Sequence, residues 1–384
     1  MVDMKNTFDG MRFKMKKILF LIHDLGHGGA EKVLVNLVNN MNPKKFDITV
    51  MTLFDVGVNR QFLAPHVTYK SCFSKMPPGN SKMMKVLTPE QLHNWLIKEH
   101  YDIEVAYLEG PSARVISGCR DNNTKLVCWI HIEQKTTDRA AASFRSKREA
   151  EGCYNRFDKI ITVSETVKSD FTSLLSIQKP VEVLYNTNET EKIIDLSKEN
   201  VENNLFRADT FNIIGVGKLL KSKGFDRLFR IQKKLLEEGY NVNVYILGEG
   251  PEFTALKRDA KENGMEKRFI LLGYQTNPYK FVSKSDLFVC ASFAEGFSTA
   301  ATEALVVGTP VCTVEVSGMK EMLGNNTYGL ITENDDKALY QGIKRLMDDD
   351  SLLEYYRKQA VVRGKMFSTE KTVKAVENML FSLK

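Results

Sequence analysis

No apolar run in the 384-residue sequence approaches the roughly 18 residues that a helix needs to cross a bilayer, so a helical membrane span is not expected. The start, "MVDMKNTFDGMRFKM", has no signal-peptide apolar core, and the expectation is a protein kept in a reducing cytosol. Six cysteines, Cys72, Cys119, Cys128, Cys153, Cys290 and Cys312, form no C-x-x-C pair and no zinc spacing. Cys128, Cys290 and Cys312 lie in apolar strand-like runs and read as small buried hydrophobes. Low-complexity tracts are missing too, which argues against disorder. The dinucleotide fingerprint G-x-G-x-x-G fails in "HDLGHGGAEKVL", because Glu31 stands where the third glycine belongs. A nicotinamide dehydrogenase thereby loses its best support.

What is present is enough for two cores: the length favours two domains of similar size, and 43% hydrophobic with 27% charged residues is an ordinary globular composition. The net charge of +6 would suit a polyanionic ligand or an anionic membrane surface, but a spread of solvated lysines is the favoured explanation. Arg139 to Lys159 is the most basic local segment and could rest peripherally on headgroups as a helix, although its alanines give it little apolar face. No nucleic-acid partner is expected.

From Lys16 or Lys17 onward, short runs rich in Val, Ile, Leu and Phe alternate with segments of helical period. Being apolar throughout, the runs predict parallel strands covered on both faces. The rhythm pauses in the polar stretch Thr187 to Thr210 and restarts at "FNIIGVGKL". The expected fold is α/β, with two doubly wound, Rossmann-like parallel-sheet domains facing a cleft. Residues 1–15 form a loose extension, 16–190 the first domain, 191–210 a linker and 211–365 the second domain. Residues 366–384 form a last helix that can pack back on the first domain.

Ligands in such sheets bind beyond the carboxyl ends of the strands, so four strand-to-helix loops matter most. In the first, Gly26, Gly28 and Gly29 let backbone amides approach a phosphate or a sugar hydroxyl at a helix start, or simply make the turn. In the second, "GVGKLLKSKGFDRL", Lys218 and Lys223 can neutralise a departing diphosphate without a metal. The third, "GEGPE", is followed by "LLGYQTNPY", where Tyr274 could pack on a nucleobase. The fourth is "EGFSTAATE". With a helix starting near Ser298 or Thr299, Glu295 projects from the loop and Glu303 lies about one turn inside the helix. Gly296 leaves room for an anion to reach the unpaired amides of Phe297, Ser298 and Thr299. Glu295 would accept from hydroxyls of a transferred sugar, and Glu303 from those of a ribose. The acidic run Asp348 to Asp350 follows a helix and is assigned no metal.

The order G-G-A-E, G-K-L-x-x-x-K-G, G-x-G-P and E-G-F-S-x-x-x-x-E closely resembles the GT-B fold glycosyltransferases of family 4, over nearly the whole chain from Lys16. The resemblance implies metal-independent, retaining transfer of a hexose from a nucleotide donor, with a UDP-hexose as the working expectation and no cofactor. It maps the two family acids onto Glu295 and Glu303, and the basic pair onto Lys218 and Lys223. Lys218 departs from the arginine common at that position and offers a point charge in place of a fork. The family's first-domain histidine maps onto His131, at the end of "KLVCWIH", with His23 and His27 as alternatives. It would position the reacting hydroxyl or stabilise positive charge on the sugar through its ring or carbonyl. A glycan or lipid-linked glycan acceptor would be shaped by first-domain loops such as Phe73 to Lys85, in cell-surface polysaccharide synthesis. Rival readings are a nucleotide-sugar epimerase of the same fold and a noncatalytic nucleotide-sugar-binding subunit.

Overall fold

The computed structural model describes residues 15–26, 28–75, 84–201, 205–207 and 209–383. Nearly all of the N-terminal extension, His27 and most of the Phe73 to Lys85 loop therefore lie outside the described residues. The alternation of apolar runs and helices folds as two wholly parallel sheets.

The first sheet has the order β3-β2-β1-β4-β5-β6-β7. Its strands are β1 (Lys16–Ile22), β2 (Phe46–Phe54), β3 (Thr68–Phe73), β4 (Ile103–Ala106), β5 (Lys125–Ile130), β6 (Lys159–Thr162) and β7 (Val181–Val183). In the second, the order is β10-β9-β8-β11-β12-β13. These are β8 (Phe211–Val216), β9 (Val242–Leu247), β10 (Phe269–Gly273), β11 (Leu287–Cys290), β12 (Val311–Val314) and β13 (Leu330–Thr332). Central strands are sealed on both faces: Ile18 through Ile22 of β1 are all fully buried, and Ile18 is in register with Ile48 on one side and Ile103 on the other. Strand order reverses between β1 and β4 and again between β8 and β11. Loops leaving those strands diverge to opposite faces and open a crevice at each switch point.

The stretch read as a polar linker opens with a helix, Thr190–Ser197, which buries Ile193 and docks on the second domain. There Asn277 Nδ2 donates to the Leu196 carbonyl at 2.9 Å, and Ser283 Oγ to that of Ser197 at 2.9 Å. At the other end, the last helix, Thr369–Ser382, returns to the first domain. Lys16 Nζ donates to the Leu380 carbonyl at 3.1 Å, the Asn42 amide to Glu377 at 2.7 Å, and Phe46 packs on Phe381 with ring centres 4.8 Å apart. The chain thus passes between domains twice, and the passages are tied together. The Thr190 amide donates to Thr369 Oγ1 at 2.9 Å, and the Thr369 amide to Thr190 Oγ1 at 3.2 Å.

One surface expectation changes. Arg139 to Lys159 is not one basic helix but two short ones, Thr137–Ala140 and Lys147–Tyr154, the second started by the Ser146 hydroxyl. Its apolar residues Phe144, Ala150, Cys153 and Tyr154 are buried in the domain. Arg145 and Arg156, both exposed, donate to the carbonyls of Lys85 and Cys119 at 2.7 and 2.6 Å. The acidic run is committed locally: Asp349 caps the helix Asp350–Gly364, and Asp348 accepts from Tyr240 at 2.7 Å.

Candidate active site

The loop after β8 approaches the end of β11 closely. Gly224 makes that possible, with φ of +67° and a Cα so near the Ala291 carbonyl oxygen that a Cβ would lie 2.1 Å from it. The approach delivers Lys223 to Glu295, with Nζ 2.6 Å from Oε1. Ser292 Oγ donates to the same oxygen at 2.6 Å, and Cys290 Sγ stands 3.8 Å away. Burial works against the Lys223 charge, but the Glu295 carboxylate outweighs it and the ammonium pKa rises. Lys218 is exposed and has no ion-pair or side-chain hydrogen-bond partner among the described residues. The two lysines of one motif thus differ: one is already paired and the other is available.

After Glu295 the chain turns into the helix Thr299–Val306, capped by the Ser298 hydroxyl, which accepts from the Ala301 amide at 3.3 Å. The amides of Phe297, Ser298 and Thr299 donate to no acceptor among the described residues. Glu303, on the buried face of this helix, accepts from Lys32 Nζ at 2.6 Å. Lys32 belongs to the helix Gly29–Asn40, which follows β1 in the other domain. A Cβ on Gly29 would lie 3.3 Å from Thr299 Oγ1, so two helix starts face each other across the gap and both turn positive potential into it.

Gly28 is the N-cap residue of the helix Gly29–Asn40. The Glu31 carboxylate folds over it, so a Cβ there would be 2.0 Å from Glu31 Oε2. Burial raises the pKa of this acid. Beside it, Asp24 accepts from His23 Nδ1 at 2.7 Å and from the Gly26 amide at 2.8 Å. The His23 hydrogen bond leads the effects that hold the Asp24 carboxyl below the usual range.

His131 directly follows β5, and its amide donates to Glu109 Oε2 at 2.9 Å. Its ring lies against Tyr107, with centres 4.9 Å apart, and Nε2 is sealed without a hydrogen-bond partner among the described residues. Burial lowers the ring pKa to about 3, so His131 is neutral at ordinary pH. Its carbonyl meets the second domain: a Cβ on Gly296 would be 1.9 Å from the His131 oxygen.

Further contacts hold the Gly296 turn against the first domain. Ser164 Oγ donates to the Gly296 carbonyl at 3.3 Å and Asn186 Nδ2 to that of Phe297 at 3.4 Å. The Phe297 ring stacks on Tyr185 at 5.1 Å and meets Phe367 at 5.8 Å. Its side chain is thus committed to packing between domains, which leaves its amide as the group offered to a ligand. Tyr274 is exposed in the loop after β10.

The structure therefore brings Lys223, Glu295, the Phe297 to Thr299 amides, Glu303, Gly29 and the His131 carbonyl to one interdomain region. Sequence reasoning missed Lys32, Tyr279, Ser164, Asn186 and Ser292. Only Ser292, three residues before Glu295 at a strand end, carried a local signal. Among the described residues, the one His, Cys, Asp or Glu group spaced to hold a metal is His93, Glu104 and Cys119. Glu104 is the second residue of β4, at the end of the sheet opposite the cleft.

Comparisons with known proteins bear on the family and the fold. Residues 27–192 match the model described as Glycosyltransferase Family 4, and residues 197–363 that described as Glycosyl transferases group 1. The chain is 29% identical, over 93% of its length and 97% of the relative's, to N-acetylgalactosamine-N,N'-diacetylbacillosaminyl-diphospho-undecaprenol 4-alpha-N-acetylgalactosaminyltransferase of Campylobacter jejuni. It is 27% identical to the lipopolysaccharide core biosynthesis glycosyltransferase LpsD of Rhizobium meliloti, over 87% of this chain and 89% of that one. Among solved structures, Anabaena Alr3699/HepE in complex with UDP and glucose superposes with a TM-score of 0.77 at 20% identity, covering 96% of this chain and 100% of that one.

Proposed function

Since the chain belongs to the family 4 glycosyltransferases of GT-B fold, we propose that it transfers a hexose, with retention, from a UDP-linked donor to a glycan or lipid-linked glycan in cell-surface polysaccharide synthesis. The observation that carries the reading is the Lys223 to Glu295 pair beside the unpaired amides at the start of Thr299–Val306. The relative from Campylobacter jejuni, named for an undecaprenol-linked acceptor, and the HepE complex with UDP support the acceptor and donor classes.

As the anomeric bond breaks, negative charge grows on the diphosphate. Lys218, Lys223 and the three amides offer fixed positive charge and dipoles to it, so little reorganisation is needed when the bond breaks. Glu295 accepts from hydroxyls of the moving sugar and Glu303 from the ribose. The acceptor attacks on the face from which the diphosphate leaves. A neutral His131 has little basicity to offer, and its part is played by the carbonyl packed on Gly296, near the sugar's developing positive charge. The same charge inventory supports transfer without a divalent ion.

Unfolding of the full chain in the presence of separate nucleotides and nucleotide-sugars tests the donor class. At a hundredfold excess over the dissociation constant, a true donor adds about 2.7 kcal/mol of apparent stability. No response to any nucleotide overturns the reading. Turnover that persists in EDTA supports metal independence, and donor epimerised without acceptor would point to the epimerase instead.

A further inference from the structure

If Glu303 addresses the ribose, one of its oxygens is already engaged by the other domain. Lys32 Nζ donates to Glu303 Oε1 at 2.6 Å and to the Tyr279 hydroxyl at 2.8 Å, and lies 5.1 Å from the centre of the Tyr279 ring. The Tyr279 hydroxyl in turn donates to the same Oε1 at 3.4 Å. Glu303 Oε2 accepts no hydrogen bond from the described residues.

A carboxylate held at one end of a side chain can turn about its last carbon–carbon bond and blur the direction of its lone pairs. Two donors converging on one oxygen remove that freedom and leave the second oxygen as an oriented acceptor. The ammonium also offsets the cost of burying this acid, whose side chain is only 7% exposed. Tyr279 and Glu303 come from the second domain, while Lys32 stands 271 positions away from Glu303 in the first. The oriented state therefore exists only when the two domains meet at this point.

We propose that Lys32 is a positioning residue for nucleotide recognition: by fixing Glu303 through Oε1, it makes reading of the ribose hydroxyls depend on the first domain. The inference rests on the nucleotide-donor reading, and its test separates the two.

The probes are UDP and 2′,3′-dideoxy-UDP, titrated calorimetrically into the full chain and into its Lys32→Met, Lys32→Arg and Tyr279→Phe variants. Thermal unfolding without ligand checks that each variant is folded. Lys32→Met is expected to weaken UDP about tenfold, the loss typical of one charge-assisted contact, and the dideoxy compound less than about twofold. Discrimination between the probes then nearly disappears. Lys32→Arg restores most of it, and Tyr279→Phe, which keeps the ring but loses the hydroxyl, falls between.

The proposal is overturned if Lys32→Met binds UDP as tightly as the wild type or tighter. It is overturned equally if both probes weaken by the same factor, the signature of a merely structural lysine. Should Lys32→Met not fold, unchanged discrimination in Tyr279→Phe overturns the proposal in its place. A wild-type chain that binds no UDP overturns the donor reading itself.

Discussion

The Cα of Gly296 rests against the carbonyl oxygen of His131, so close that a methyl group on the glycine would lie 1.9 Å from that oxygen. No side chain fits there while the domains keep this contact. Gly296→Ala is therefore expected to force the domains apart and to displace Glu295 and the amides beside it. A displacement near 1 Å costs about a hundredfold in rate. Sugar transfer should fall by that order while circular dichroism and unfolding temperature change little. Full activity in the alanine variant would show that this contact is absent during turnover.

The two lysines of the loop after β8 should respond differently to alanine. Lys223→Ala leaves Glu295 buried without its cation, and urea unfolding should report a loss of about 3 kcal/mol. Lys218→Ala removes an exposed side chain with no ion pair or hydrogen bond among the described residues, and its stability should stay within about 0.5 kcal/mol of wild type. Calorimetry should nonetheless find UDP bound about tenfold more weakly to Lys218→Ala, as one charged contact to the diphosphate is lost.

The two acids of the fourth loop should also separate. Glu295→Gln is expected to reduce turnover by about a hundredfold or more while UDP affinity changes little, because the sugar contact tightens as the bond breaks. Glu303→Gln should chiefly raise the UDP dissociation constant. Equal loss of affinity in both variants would contradict the division of labour between sugar and ribose.

Two histidines predict opposite pH responses. For His131, burial sets a folded pKa of about 3, below the ordinary value near 6.5. The unfolded chain takes up this proton first on acidification, so stability present above about pH 6.5 declines as pH falls toward 3. Burial also disfavours the charge of His93, but Cys119 and Glu104 outweigh it and raise its pKa to about 9. Its Nε2 lies 2.8 Å from Glu104, and the stability from this charge is complete below about pH 6.5 and lost as pH rises through 9. Urea titrations of wild type and His93→Gln should therefore differ more at pH 6 than at pH 9.5. An equal difference at both values would deny the His93 assignment.

Both sheets were legible because fully covered parallel strands must be apolar on each face, and "KKILFLI" or "NVNVYILG" satisfies that demand within one short window. The fourth loop was legible for a related reason: a strand end, a glycine and a helix start are adjacent in sequence. In the first loop the glycines were legible, but the Glu31 carboxylate lying over Gly28 was not, because side-chain direction is not written in the spacing. Lys32 escaped because its partner is 271 positions away, and Ser164 because Gly296 is 132 away. No local periodicity encodes such pairings. The segment Arg139 to Lys159 folds as two short helices because Ser146 starts a second helix inside it, which its charge count does not reveal.

The reciprocal hydrogen bonds between Thr190 and Thr369 place both chain passages side by side. The two passages are therefore coupled: neither can slide past the other without breaking both hydrogen bonds.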